Sequence, residues 1–399
     1  MKNIILTIVC LIGLTTIAQN RKIEFIETDW KSHLASAKKS NKLIFFDAYT
    51  SWCAPCKVMA RDVFSRDEVA DLFNKRFINA KYDMEKGEGI TLKDKYGISA
   101  YPTYLFINGD GEVVHKIVGS MGVKEFINEA NNALNTENTI YALSRKFESS
   151  GYSETSAIAY LKALKKAYES DKMSIVSKAY FDSLEKSLLF DEHHWELVVK
   201  YLNNPSSKAF SYLYRNKRKL EEQYGTKEVN RYFQQVFSSS VYRVKKAYSA
   251  KKGIKDAKQI SKSIKKLLKK ENSYSNVLLV KLGLIELAAS NEWDEFSKKV
   301  DAIFTDDRII NKSYVVIEAA NDIVNSNQEN QYGQVLNWAN LIEEKNPELF
   351  TQIQLAELRK RVLKRQGKMA ESEAMAIKEK RLRKEAAEKR LVTPPLMKD

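Results

Sequence analysis

Two hydrophobic patterns divide this chain. Up to about residue 135, short apolar runs alternate with helical patterns; beyond it, apolar residues recur only at three- and four-residue spacing. Ile23 to Ile26 predicts a short strand, and Asp29 caps a predicted helix to about Ser40. Leu43-Ile44-Phe45-Phe46 is continuously apolar, the pattern of a central strand buried on both faces. From Pro55 to Lys75, apolar residues at Met59, Val63, Val69, Leu72 and Phe73 fit one helical face, with a break near Ser65. Phe77 to Tyr82 predicts a third strand, and Ile90 to Tyr96 a short helix. Thr103 to Ile107 and Val113 to Val118 predict two strands joined across Asn108-Gly109-Asp110-Gly111, a hairpin turn. Val123 to Leu134 closes the region with an amphipathic helix. The order is β-α-β-α-β-α-β-β-α, an α/β domain with a central mixed sheet flanked by helices.

Residues 138–391 predict an all-α region. Apolar sets such as Ile158, Leu161 and Leu164, or Ile260, Ile264, Leu267 and Leu268, keep helical spacing. Asn-Pro breaks occur at Asn204-Pro205 and Asn346-Pro347. The clearest unit is the last: a helix from Leu336 to Asn346, a second from Pro347 to Gln366, a turn at Gly367-Lys368, and a third from Met369 to Leu391. These helix pairs resemble tetratricopeptide-type repeats; a helical bundle is the alternative. The segment 392–399, with Pro394-Pro395, is expected to be a disordered tail. The division into domains is therefore 1–18, 21–137, 138–391 and 392–399.

Composition agrees with this division. Hydrophobic residues make up 44% of the 399, enough for real cores, and Gly 14 with Pro 6 is low, as long helices require. The chain opens with Lys2, an apolar run from Ile4 to Ile17 and the small–x–small Thr16-Ile17-Ala18, the pattern of an export signal cleaved after Ala18. The run is short for a membrane-spanning helix. Localisation is expected to be the periplasm, with secretion or membrane anchoring as alternatives. Cys10 falls inside that segment, which leaves Cys53 and Cys56 of the 3 cysteines. That number excludes a four-thiolate zinc site, and 4 histidines leave few imidazole sites. His33 and His115 read as surface residues, and His193-His194 as structural, because adjacent residues do not share a helix face. A C-x-x-C loop constrains the unfolded chain little, so the pair is a poor staple and a good redox device.

Around that pair the residues form a coherent set. Trp52-Cys53-Ala54-Pro55-Cys56-Lys57 follows an apolar strand, Asp47 lies six residues before Cys53, and Tyr96-Gly97-Ile98 leads to Tyr101-Pro102-Thr103. This constellation resembles the thioredoxin fold over about residues 22–135. In detail it is similar to the thioredoxin-like domains of exported disulfide reductases, including the C-terminal domain of the periplasmic thiol:disulfide interchange protein. The resemblance implies a thiol–disulfide oxidoreductase, with reduction as the favoured direction and no cofactor beyond the redox-active disulfide Cys53–Cys56. It implies that Asp47 is the buried acid that accepts the Cys56 proton, that Lys81 pairs with it, and that Pro102 is cis and binds substrate together with Tyr101. Trp52 and Pro55 are supporting residues. Cys53, at a helix N-terminus, is expected to be a stabilised thiolate with a pKa between roughly 3.5 and 7.5; Cys56, one turn on, is expected to be the more buried of the two. Ala54 where thioredoxin has Gly, and the bulky Tyr101 before Pro102, depart from the family at substrate-contacting positions.

Charge distinguishes the two regions. Residues 21–139 hold 17 basic and 17 acidic side chains, so nearly all of the net +15 lies beyond them, and 215–270 alone has 18 Lys and Arg against 4 Asp and Glu. Such a stretch suits a solvated face, an acidic partner or an anionic surface; export argues against nucleic acid. Two function classes follow. One is an exported oxidoreductase acting on protein disulfides with an electron-donor protein, its helical region recruiting partners. The other is a binding or assembly protein in which the helical region carries the function.

Overall fold

The computed structural model describes residues 21–269 and 273–392. The expected signal segment 1–18 and residues 393–399 of the expected tail lie outside the described residues; Val392 is the last residue of a helix. The chain forms two compact units, divided between Ser183 and Leu184.

The first unit contains α1 (Trp30–Ser40), β1 (Leu43–Tyr49), α2 (Ala54–Asp62), α3 (Asp67–Arg76), β2 (Phe77–Asp83), α4 (Glu88–Lys95), β3 (Thr103–Ile107), β4 (Val113–Val118), α5 (Val123–Leu134), α6 (Ile140–Ser149), α7 (Glu154–Lys166) and α8 (Ser170–Ser183). The sheet order is β2-β1-β3-β4; β1 and β2 are parallel and the other pairs antiparallel. This is the expected thioredoxin-type arrangement. β1 and β3 lie at the centre, and their apolar runs are continuous because helices cover both faces. Side chains alternate across the sheet. Phe45, Tyr104 and Phe106 pack with α2, α3 and α5 residues such as Met59, Phe73 and Phe126. Ile44, Phe46, Leu105 and Ile107 pack with Trp30 of α1 and Leu92 of α4 on the other face.

The strand predicted at 23–26 is not formed. Ile23 and Ile26 donate their N–H groups to the carbonyls of Phe64 and Asn79, both at 2.9 Å, but the Glu24 N–H goes to the Asn74 side chain at 2.9 Å and the Glu24 carbonyl accepts from the Asn79 amide at 3.2 Å. Side-chain amides thus take up backbone groups that a ladder would need. The helix expected over 55–75 is two helices, and the break at 63–66 brackets Ser65. β3, β4 and α5 have the predicted limits. The hairpin tip is packed as well as turned: a Cβ on Gly109 would lie 2.6 Å from the Lys38 Cα.

His33 and His115 are buried, not exposed as expected. His33 bridges the Tyr82 hydroxyl (3.0 Å) and the Ile26 carbonyl (3.1 Å), and burial depresses its pKa. The His115 Nε2 lies 2.9 Å from Glu129 Oε2, and Lys166 of α7 bonds the other Glu129 oxygen. Lys116 of β4 donates to Glu169 at 2.8 Å. Lys166 of α7 thus bonds α5, Glu169 just before α8 bonds β4, and α6 and α7 pack on β4; position 137/138, the expected division, lies inside the first unit. His194 bonds its helix N-cap, Asp191, at 2.8 Å.

The second unit contains α9 (Glu192–Tyr201), α10 (Lys208–Arg215), α11 (Lys217–Tyr224), α12 (Thr226–Ser249), α13 (Ile254–Leu268), α14 (Ser273–Ala289), α15 (Trp293–Thr305), α16 (Lys312–Asn325), α17 (Tyr332–Glu343), α18 (Leu349–Arg365) and α19 (Met369–Val392). From α10 onward each helix packs on the next, and α12, α14, α16 and α18 also pack on one another in succession. Gly367 takes the positive φ of +74° that the α18–α19 turn requires. Of the basic stretch, Lys245 lies 2.7 Å from Asp322 and Lys265 2.5 Å from Glu286, so part of the charge is neutralised internally. Among the described residues no helix is long and apolar enough to cross a membrane.

Candidate active site

The C-terminal ends of β1 and β2 and the start of β3 lie at one end of the sheet, because Ala48 pairs with both Tyr82 and Thr103. After β1 the chain turns through Thr50-Ser51-Trp52, where the Cys53 N–H donates to the Thr50 carbonyl at 3.2 Å. Cys53 is the N-cap of α2, with Pro55 in the first turn. A proline there loses no helical bond, since the first N–H groups of a helix have no partner within it. The Cys53 Sγ fills that vacancy for one of them by accepting the Cys56 N–H at 3.2 Å.

Cys53 and Cys56 form a disulfide, with Cα atoms 5.3 Å apart. The expected order of burial is reversed: Cys53 is 2% exposed and Cys56 8%.

Asp47 lies on β1, three residues before Thr50, opposite Lys81 of β2 and Tyr104 of β3. It is buried, and burial pushes its carboxyl up to about 7 although the Lys81 charge pulls it down. Lys81 does not bond the acid directly, as the pairing expectation implied. Its side chain is exposed, and its ammonium sits over the Phe25 and Tyr49 rings, 5.4 and 5.6 Å from their centroids. Burial and the nearby Asp83 and Asp47 charges raise the Tyr49 phenol.

Trp52 is 63% exposed; its indole N–H donates to Glu85 Oε2 at 3.0 Å and its ring meets Tyr101 edge-on at 5.9 Å. That contact brings the Tyr101-Pro102 loop beside the dithiol turn. The Tyr101–Pro102 peptide bond is cis, Pro102 is buried, and its carbonyl accepts from Gly119 at 2.9 Å. The sequence-predicted residues therefore collect at one end of the sheet, with Lys81 at their margin.

Two residues of this neighbourhood escaped the sequence reading. Glu85, in the turn after β2, has no motif around it. Tyr104 follows Pro102 by two, and only the strand register places it across from Asp47; its hydroxyl is buried without a hydrogen-bond partner, as are those of Thr50 and Tyr101. Burial, then the Asp47 charge, raises the Tyr104 pKa.

Comparison with known proteins agrees with this arrangement. Residues 25–109 match a family model described as thioredoxin-like. Thioredoxin H4 of Arabidopsis thaliana is 38% identical over 91 residues, which span 23% of this chain and 71% of that protein. The thioredoxin of Chlorobaculum thiosulfatiphilum is 30% identical over 98 residues, covering 25% of this chain and 85% of its own. A solved structure of a proposed disulphide-isomerase from Bacteroides thetaiotaomicron shares 45% identity over 30% of this chain and 98% of that one, with a TM-score of 0.28.

Proposed function

The chain belongs to the thioredoxin family, and on that premise we propose that it is an exported thiol–disulfide oxidoreductase that reduces protein disulfides. The observation that carries this reading is the Cys53–Cys56 disulfide at the start of α2, with a buried carboxyl of raised pKa on the strand that leads into it. In the reduced protein, the Cys53 thiolate is stabilised by the Cys56 N–H and the α2 dipole. It attacks one sulfur of a substrate disulfide; a Cys53–substrate bond forms, the substrate S–S bond breaks, and one substrate thiolate leaves. Asp47, ionised, accepts the Cys56 proton. The Cys56 thiolate then attacks Cys53, closing the intramolecular disulfide and releasing the second substrate thiolate. Two electrons pass to the substrate, and an electron-donor protein restores the dithiol. Trp52, Tyr101 and Pro102 form the substrate-facing rim, and Lys81 tunes Asp47 through space. No cofactor beyond the dithiol is needed.

Export rests on the pattern of residues 1–18, and a periplasmic location is the reading that goes with it. The successive stacking of α12, α14, α16 and α18 supports a tetratricopeptide-like array in the second unit that recruits partners or substrates.

The test is a Cys56→Ser variant, which has no resolving thiol. We expect it to accumulate mixed disulfides through Cys53, visible as reducible adducts on non-reducing gels, and to lose them in Cys53→Ser/Cys56→Ser. If the single variant traps nothing, the oxidoreductase reading fails. A measured potential near −120 mV, the strong-oxidant end of the scale, would reverse the direction.

A further inference from the structure

The second unit carries a ridge of charge that the dithiol chemistry does not use. On α13, Ala257, Ile260, Ile264 and Leu268 are buried. Opposite them Lys255, Lys258, Lys262, Lys266 and Lys269 follow one another at three- or four-residue intervals, and all five are exposed. At 1.5 Å per residue the row is about 21 Å long. Lys251 and Lys252, also exposed, extend it at the N-terminal end, and the only acid on the helix is Asp256.

What separates this ridge from an ordinary solvated face is its lack of counter-charge. α19 is equally rich in cations, but Lys378 pairs with Glu343, Arg383 with Glu379 and Lys389 with Glu385. Among the described residues, none of the five ridge lysines, four on α13 and Lys269 at its C-cap, makes an ion pair; Lys265, off the ridge axis, is the one that reaches Glu286. Like charges one helical turn apart repel and destabilise the helix. An external polyanion would relieve that repulsion.

We propose that the exposed face of α13 is a docking surface for an anionic lipid bilayer. The ridge is straight, contains lysine and no arginine, and has no large exposed apolar side chain among the described residues. Ammonium groups on flexible stems suit a flat field of mobile headgroups, whereas fixed carboxylates on a folded partner are matched better by the rigid guanidinium fork. Contact is electrostatic, at the headgroup level, without insertion. The inference is independent of the dithiol reading, since either can fail without the other.

The experiment is co-sedimentation of the purified protein with phosphatidylcholine vesicles, with and without about one-third phosphatidylglycerol, at low and high salt. Binding is expected only to the anionic vesicles and is expected to fall steeply as salt rises. Each lysine near an anionic surface contributes about 5-fold. Lys255→Gln/Lys258→Gln/Lys262→Gln should therefore weaken binding about 100-fold, while the corresponding Lys→Arg triple keeps it within a few-fold. The Lys→Arg arm separates loss of charge from loss of fold. Absence of binding to anionic vesicles at low salt, equal binding by the Gln triple, or binding of poly-glutamate in place of vesicles would each overturn the proposal.

Discussion

Asp47→Asn isolates one buried ionisation. The carboxyl is pushed from an ordinary 3.8 to about 7 by burial, with Lys81 only partly opposing the shift. A raised carboxylate pKa means that the folded protein holds a proton that the unfolded chain has released. The contribution of this group to stability is therefore greatest below pH 4 and is lost as pH rises toward 7. At about 1.4 kcal/mol per pH unit, the full difference is about 4 kcal/mol. Asparagine cannot ionise, so the variant lacks this loss. We expect Asp47→Asn to be close to wild type at pH 4.5 and more stable by several kcal/mol at pH 8.5. Tyr49 and Tyr104, whose phenols Asp47 also raises, titrate above this pH range, so the difference between the two proteins across it reports Asp47. The assay is denaturant unfolding of the oxidised proteins at several pH values, with 19F-labelled tryptophan. Trp30 and Trp52 lie in the first unit, and their signals separate its transition from that of the second. A difference that stays constant from pH 5 to 8.5 would refute the assignment of a buried, protonated Asp47.

Two further predictions concern the first unit. Burial alone would raise the Glu129 carboxyl, but hydrogen bonds from His115 and Lys166 bring it down to about 2 from 4.5, so its contribution is present above pH 4.5 and lost as pH falls toward 2. Glu129→Gln should cost about 3 kcal/mol at pH 7, measured by the same unfolding assay, with the deficit shrinking in acid. Tyr104→Phe removes a buried hydroxyl that has no partner, so it should leave stability unchanged or raise it by about 1 kcal/mol in thermal melts.

The parts of this protein that are legible in the sequence are those governed by local rules. The limits of β3, β4 and α5 follow from period, turn chemistry and a hairpin whose glycines permit it. The α2–α3 break and the last three helices follow, to within a few residues, from interrupted helical spacing. Cys53 is placed at a helix N-cap by the strand before it and Pro55 after it. These depend on residues within a few positions of one another.

Tertiary structure alone decided the rest, because burial and pairing depend on residues far apart in the chain. Residues 23–26 look like a strand, yet Asn74 and Asn79 intercept their backbone groups. His115 reads as a surface residue until α5 brings Glu129 against it and α7 brings Lys166. Whether Asp47 is charged, and which of the two cysteines is the more enclosed, is determined by the strands, rings and helix end folded around them. Local sequence specified which groups are present; the fold's dielectric and neighbours set the protonation states in which they operate.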